Sequence, residues 1–97
     1  MTRIELAPEV GEDFERILLH LEQYDAGQRM ARLGGIIQAF NVLESSPLIG
    51  RPCGEDMREL VVGRDARGYV ALYRYVAGID TVLVLAIRAQ REAGFMR

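Results

Sequence analysis

Two apolar segments rich in β-forming residues, Tyr69–Val76 and Thr81–Ile87, constrain this chain more than any other part of its sequence. Only the short connection Ala77–Asp80, which contains a glycine, separates them, and this spacing predicts a β-hairpin. The second segment shows no alternation of polar and apolar residues, so we expect both faces of that strand to be covered. A chain of 97 residues has one core, and the hairpin is expected to form its centre.

The residues at the start of the chain predict a strand followed by a helix. Arg3–Leu6 alternates polar and apolar residues, as a short strand does. A first helix is expected to begin at Pro8 and to end near Tyr24, because one apolar stripe recurs at helical spacing: Val10, Phe14, Ile17, Leu18 and Leu21. His20 lies at the border of that stripe, and we expect it to be exposed at the surface.

A second helix is predicted from the spacing of Asp25 and Gln28, which is typical of a helix start, to the segment Ser45–Pro47. Gly34 and Gly35 inside it cost on the order of 1 kcal/mol each relative to alanine. A close approach of the two helices would explain this pair. The buried side of the helix is expected to carry Met30, Leu33, Ile36, Ile37, Phe40 and Leu43.

The rest of the chain predicts strands and loops. We expect a loop at Pro47–Asp56, a strand at Arg58–Val62, a polar turn at Gly63–Gly68, and a short helix or extended end at Ala89–Arg97. The resulting order, β-α-α-β-β-β, predicts an α+β fold in one domain covering residues 1–97. A helical hairpin is expected to pack on one face of a small, mainly antiparallel sheet.

Composition and charge exclude several classes of protein. The longest apolar run, Val82–Ile87, is far shorter than the roughly 20 residues that cross a bilayer, and nothing near Met1 resembles a secretory signal. Cys53 is the single cysteine, which excludes an internal disulfide and favours a cytoplasmic location; we interpret it as an unreactive loop residue. All twelve basic residues are arginine, and they concentrate after residue 50: the net charge is −4 before that point and +2 after it.

Three stretches of the chain resemble the RelE/ParE superfamily, the toxins of bacterial type II toxin–antitoxin modules, often called plasmid-stabilisation proteins. These stretches are Gly68–Val76, the strand Asp80–Ile87, and the closing segment Arg88–Phe95. The resemblance extends from Arg3 to Phe95. It implies a cytoplasmic toxin that inhibits growth, needs no metal or other cofactor, and is held inactive by a small cognate antitoxin. Whether the toxin is a homodimer or forms a heterotetramer with the antitoxin is left open.

The resemblance also implies one of two activities. RelE-like members cut messenger RNA on the ribosome, whereas ParE-like members bind DNA gyrase. In RNA-cutting members an arginine follows the first tyrosine of the third strand, and a tyrosine or histidine stands near the C-terminus; here these positions hold Val70 and Phe95. Arg91 matches the arginine past the fourth strand of that set, and Arg58 stands near its basic positions on the second strand; these two are the remaining catalytic candidates. Two arginines without an acid or base are poor catalysts, so the sequence favours the ParE-like activity.

Two further groups of residues are candidates for binding. We expect Arg58, Arg88 and Arg91, together with Phe95, to form a target-binding patch at one end of the sheet; separate surface charges are the alternative. Tyr69, Tyr73 and Tyr75 lie on one face of their strand at alternate positions. They are candidates for the wall of an antitoxin-binding groove, and the alternative is that they belong to the core.

Overall fold

A five-stranded sheet with two helices packed on one face makes up the computed structural model, which describes residues 1–24, 27, 29–63, 68–92, 94 and 95. Its elements in chain order are β1 (Arg3–Leu6), α1 (Glu9–Tyr24), α2 (Arg29–Ser45), β2 (Arg51–Pro52), β3 (Met57–Val62), β4 (Tyr69–Val76) and β5 (Thr81–Ala89). A 3-10 turn, Ala77–Ile79, joins β4 to β5. The predicted α+β architecture is confirmed.

The sheet has the strand order β1-β5-β4-β3-β2, in which β1 runs parallel to β5 and the other pairs are antiparallel. Leu72 pairs with Ala86 and Tyr73 pairs with Val84, so Leu85 is an extra residue that forms a β-bulge in β5. Because the bulge adds one residue to the alternation of β5, Val84 and Ile87 face the same side of the sheet although they are three positions apart, and both join the core. The prediction that this strand is buried on both faces is confirmed along most of its length.

The two helices differ in how well their buried sides follow from the sequence. In α1 the predicted stripe is confirmed, and Val10, Ile17 and Leu21 are at most 4% exposed. In α2 the prediction is right for Ile36 and Leu43 but wrong for two other residues. Met30 is 76% exposed and Ile37 is 56% exposed. The apolar residues of α2 are spread around the whole circumference of the helix, so the sequence does not specify which side faces the sheet.

The glycine pair of α2 does not bring the helices together. A Cβ atom built on Gly34 or Gly35 would meet no neighbouring atom within 4 Å. The predicted close helix approach at this point is therefore wrong. His20 is half-buried rather than exposed, because the border of the α1 stripe is partly covered. The helix-start residues Asp25 and Gln28 lie outside the described residues.

The segment between α2 and β3 contains a strand that the sequence did not predict. Arg51 and Pro52 form the two-residue strand β2, in which Arg51 pairs with Glu59. A strand this short, with a proline in it, has no periodicity to detect, and proline is tolerated here because β2 is an edge strand. β3 begins at Met57, one residue before the predicted start. Residues 64–67 of the predicted polar turn are not among the described residues.

Candidate functional site

The register of the sheet decides on which face each candidate arginine lies. In antiparallel strands, directly paired residues project from the same face. Arg58 pairs with Tyr73, which is fully buried in the core beneath the helices. Arg88 pairs with Val70, and Val70 projects from the face of β4 opposite to its core residues Tyr69, Ala71 and Tyr73. Arg58 and Arg88 therefore lie on opposite faces, and the predicted patch that unites them is wrong.

On the face that the helices cover, Arg58 holds the segment before β2. Its Nη1 donates hydrogen bonds to the carbonyl oxygens of Leu48, at 3.1 Å, and of Gly50, at 2.8 Å. The N–H of Gly50 donates to the hydroxyl oxygen of Tyr73 at 2.8 Å. Gly50 is thus bound through both its N–H and its carbonyl, and Arg58 and Tyr73 are the residues that position it.

The fit around Gly50 leaves no room for a side chain. A Cβ atom at this position would lie 2.6 Å from Cε1 and from the hydroxyl oxygen of Tyr73, and 2.9 Å from the carbonyl oxygen of Glu59. Burial raises the pKa of Tyr73, although the hydrogen bond from Gly50 opposes that shift. A buried phenol with a raised pKa stays protonated at neutral pH, so the Tyr73 hydroxyl is suited to a structural role.

Arg88 lies on the opposite face of the sheet, where it contacts Phe95 and the turn that follows β5. Nη1 of Arg88 lies 3.2 Å from each of three carbonyl oxygens, those of Ala89, Gln90 and Glu92, and donates to them. The guanidinium carbon of Arg88 lies 5.1 Å from the centroid of the Phe95 ring, within the range of a cation–π interaction. These contacts stabilise the turn that follows β5.

A buried carboxylate on α1 completes the edge of β5. β1 pairs only with Thr81–Val84, so the later residues of β5 lack a neighbouring strand on that side. Oδ2 of Asp13 accepts a hydrogen bond from the N–H of Ile87 at 3.0 Å, and the carbonyl oxygen of Ile87 accepts one from Nη2 of Arg16 at 3.1 Å. Asp13 is 1% exposed. Two side chains of α1 therefore bind the backbone of Ile87 where β1 no longer pairs with β5.

Glu92 extends this arrangement toward the end of the chain. Its Oε1 accepts a hydrogen bond from the N–H of Ala89 at 3.0 Å and lies 3.3 Å from Nη2 of Arg16. Nη1 of Arg16 also pairs with Oδ1 of Asp13 at 3.0 Å. Burial lowers the pKa of Arg16, but the bonds to Asp13 and Glu92 outweigh it and the net shift is upward. Sequence reasoning missed this network; the available signal was an aspartate beside Phe14, on the apolar side of α1.

The three candidate tyrosines belong mainly to the core. Tyr73 is 0% exposed and Tyr69 is 7% exposed, so neither offers a surface to an antitoxin. They are enclosed because their face of β4 is the one the helices cover. Tyr75 is half-buried, and its hydroxyl donates to Oδ1 of Asp80 at 2.8 Å. It is the one member of the three with accessible surface.

Asp80 links the starts of the parallel strands β1 and β5 to the end of β4. Its Oδ1 accepts hydrogen bonds from the Tyr75 hydroxyl and from Oγ1 of Thr2, both at 2.8 Å. These bonds lower the pKa of Asp80, and the bond to Asp80 raises the pKa of Tyr75. Asp80 adopts a φ of 45°, a left-handed conformation that aspartate tolerates and that lets the chain reverse after the 3-10 turn.

Two of the positions expected to carry catalysis, Val70 and Phe95, hold side chains without a proton donor or acceptor. Val70 is 4% exposed and lies between Val61 and Arg88 in adjacent strands. Arg91 is exposed in the turn after β5. The thiol of Cys53 is exposed, and desolvation together with Glu59 raises its pKa, which opposes formation of the reactive thiolate.

The described part of the chain contains neither a metal-binding cluster nor a membrane-spanning helix. No three histidine, cysteine, aspartate or glutamate side chains within it are grouped so as to hold a metal ion. None of its helices is long and apolar enough to cross a membrane.

Comparison with known proteins identifies a family and a fold. Residues 4–94 match the model of the family described as "ParE toxin of type II toxin-antitoxin system, parDE". No protein with curated annotation matches the chain by sequence.

Two crystal structures from E. coli share the fold. A chain of the intact RelBE toxin–antitoxin complex is 12% identical, with a TM-score of 0.63, over 95% of this chain and 100% of that chain. The isolated RelE toxin is 13% identical, also with a TM-score of 0.63, over 96% of this chain and 89% of that chain. At these identities the likeness is one of fold alone.

Proposed function

The chain belongs to the ParE toxin family of type II toxin–antitoxin systems, and we propose that it acts by binding DNA gyrase and not by cutting messenger RNA. It is thus the toxin component of such a system. The choice between the two activities rests on the side chains at the positions where RNA-cutting members of the superfamily place their catalytic groups.

The observation that carries this proposal is Val70. Cleavage of RNA by a side-chain mechanism needs cations around the scissile phosphate and a group that moves the 2′-hydroxyl proton. Val70 supplies neither, and it is 4% exposed beneath its neighbours. Arg88, the nearest cation in the strand pairing, already donates to three carbonyl oxygens and stacks on Phe95. A phosphate placed here would have to displace those contacts.

The overall charge supports the same choice. Binding to ribosomal RNA gains much of its affinity from counterions released by many cations. This chain has a net charge of −2, with twelve arginines against fourteen acidic residues. Arg51 and Arg16 are also engaged in ion pairs with Glu59 and Asp13. A protein target needs no such excess of positive charge.

A RelE-like nuclease is the second candidate. Arg91 favours it, since this arginine is exposed at a position that matches a basic residue of the catalytic set. In that case Arg91 and a second cation would have to perform the reaction without a protein acid or base. Such a set is expected to be slower by a factor of about 10² or more.

The partner in both cases is a cognate antitoxin. One crystal structure of similar fold is that of a toxin–antitoxin complex, which supports binding to a small antitoxin here. An antitoxin segment that folds on binding buries a large surface while it loses conformational entropy. The product of the neighbouring reading frame is the protein to test. Failure of the two purified proteins to associate would contradict this part of the proposal.

Two assays on one protein preparation separate the activities. We expect the chain to inhibit supercoiling by gyrase and to leave messenger RNA intact in primer extension on translating ribosomes. Arg91→Glu tests the exposed arginine that both candidates could use, and we expect it to weaken growth inhibition without unfolding the chain. Discrete cleavage at the ribosomal A site with normal supercoiling would contradict the gyrase proposal and support the nuclease.

A further inference from the structure

The face of the sheet opposite the helices, which we call the open face, has an apolar centre. Strand alternation and pairing assign to it Leu72, Arg74 and Val76 of β4, together with their partners in the adjacent strands. Leu72, Leu83 and Met57 are half-buried, whereas Val61 is 50% exposed and Val76 is 36% exposed. The apolar members of the face are Met57, Val61, Val70, Leu72, Val76, Leu83 and Ala86.

Most charges on this face are already neutralised. At one rim, Nη2 of Arg3 lies 2.8 Å from Oε1 of Glu5. At the other rim, Nη2 of Arg51 lies 2.9 Å from Oε1 of Glu59. Arg88 is bound to three carbonyl oxygens and to the Phe95 ring. An incoming partner gains little from these groups.

Arg74 differs from the other arginines of the open face. It pairs with Leu83 on one side and with Met57 on the other, so its direct cross-strand neighbours are apolar. The carboxylate at the diagonal position, Glu59, is already paired with Arg51. The Arg74 side chain is exposed, and within the described residues it makes no hydrogen bond or ion pair. A free cation between apolar neighbours is complementary to a carboxylate that is itself set in an apolar surface.

We infer that the protein target of this toxin docks on the open face, with Arg74 inserted against an acidic residue of an otherwise apolar target surface. An apolar centre with paired charges at its rim is the usual anatomy of a protein–protein interface, and arginine is a frequent anchor there. One free arginine among the described residues of this face neutralises about one phosphate, whereas binding to nucleic acid gains its affinity from many such contacts. The inference rests on the proposed function, since it names the surface through which a gyrase-binding toxin would act.

The test uses two variants of the open face and a matched control for each. Arg74→Glu reverses the anchor, and the double variant Gln38→Glu/Asn41→Asp makes the same charge change at two exposed residues of α2, away from the open face. Val61→Asp places a charge in the apolar centre, and Leu19→Asp places one on α1, at a residue that is 60% exposed. All of these residues are accessible, and thermal unfolding verifies that each variant folds.

We expect Arg74→Glu and Val61→Asp to weaken inhibition of supercoiling about tenfold or more, and the two controls to stay within about threefold of the unaltered chain. Equal potency of all five proteins would overturn the docking surface and leave the gyrase proposal intact. Equal losses in Arg74→Glu and in the α2 double variant would also overturn it, because the effect would then be one of general charge.

Growth inhibition in cells that lack the antitoxin gives a readout that does not assume gyrase to be the target. If the unaltered chain arrests growth but leaves supercoiling unchanged, the gyrase proposal fails, and the same four variants still test the open face. A loss of arrest confined to Arg74→Glu and Val61→Asp would then support it. If Arg74→Glu instead abolishes binding to a short RNA with a steep dependence on salt, the partner is nucleic acid and the inference is wrong.

Discussion

On the helix-covered face of the sheet, Arg58 and Tyr73 bind the backbone of Gly50, whereas on the open face Arg74 has no partner among the described residues. The two faces contain similar residue types and use them for different purposes. A polar side chain on the covered face has to satisfy backbone groups that water cannot reach. One on the open face is available to another molecule. Substitutions on the covered face should therefore change stability, and substitutions on the open face should change activity.

The largest effect is expected at Asp13. Asp13→Ala leaves the N–H of Ile87 without its acceptor and Arg16 without one of its carboxylates, in a site that is 1% exposed. A buried N–H without its acceptor costs ~1–3 kcal/mol of unfolding free energy, and the lost pairing with Arg16, whose side chain is 30% exposed, adds to this cost. Urea denaturation measures this loss of unfolding free energy. The control is Glu15→Ala, on the exposed side of the same helix, which is expected to change the unfolding free energy by no more than ~0.5 kcal/mol. Equal midpoints for both variants would show that the network adds nothing to stability.

Gly50→Ala should come next. Its Cβ would lie 2.6 Å from Tyr73 atoms and 2.9 Å from a backbone oxygen that cannot easily move. Overpacking of this kind destabilises by ~1–3 kcal/mol. Gly78→Ala is the matched control, because a Cβ there meets nothing within 4 Å. A melting temperature that falls equally in both variants would indicate a general effect of glycine replacement and not the contact with Tyr73.

Tyr73→Phe tests the hydroxyl group by itself. The buried N–H of Gly50 loses its acceptor, which costs ~1–3 kcal/mol at neutral pH. Burial raises the pKa of Tyr73 in the folded chain, so the stability that the protonated phenol contributes is complete below the ordinary tyrosine pKa of ~10. That contribution is lost as the pH rises through the raised value.

The alkaline arm of this prediction has its own measurement. Thermal unfolding between about pH 8 and 12 should show that the unaltered chain loses more stability than Tyr73→Phe, because the variant has no phenol to ionise at this site. A parallel decline of both proteins would mean that Tyr73 does not contribute to the alkaline loss.

The smallest effect, and the only gain, is expected at the glycine pair of α2. Gly34→Ala and Gly35→Ala should each stabilise the chain by about 0.5–1 kcal/mol, because alanine is the better helix former and the added methyl group meets no atom within 4 Å. Chemical denaturation of each variant measures the change. A decrease in stability would instead indicate that the two helices pack closely at the glycine pair, as the sequence suggested. Neither variant touches the open face, so growth inhibition should not change.

Much of the fold could be predicted because its elements have strong local patterns. The apolar stripe of α1 and the two β-rich segments of the hairpin led to correct boundaries for α1, β4 and most of β5. The resemblance to the toxin superfamily rested on the same hairpin. The buried side of α2 could not be predicted, since its apolar residues lie all round the helix. β2 could not be predicted either, because two residues have no period.

What the sequence alone determined is the two helices, the four strands other than β2, the order of these elements and the toxin family. Only the tertiary structure decided which residues are available for function. Arg58 and Arg74 are both arginines in neighbouring strands, but Arg74 pairs with Met57, the residue before Arg58, and the two side chains therefore project from opposite faces. Side chains alternate with a period of two, so a shift of one residue in pairing exchanges an arginine on the covered face for one on the open face. That register depends on contacts between strands, which no pattern within a single strand contains.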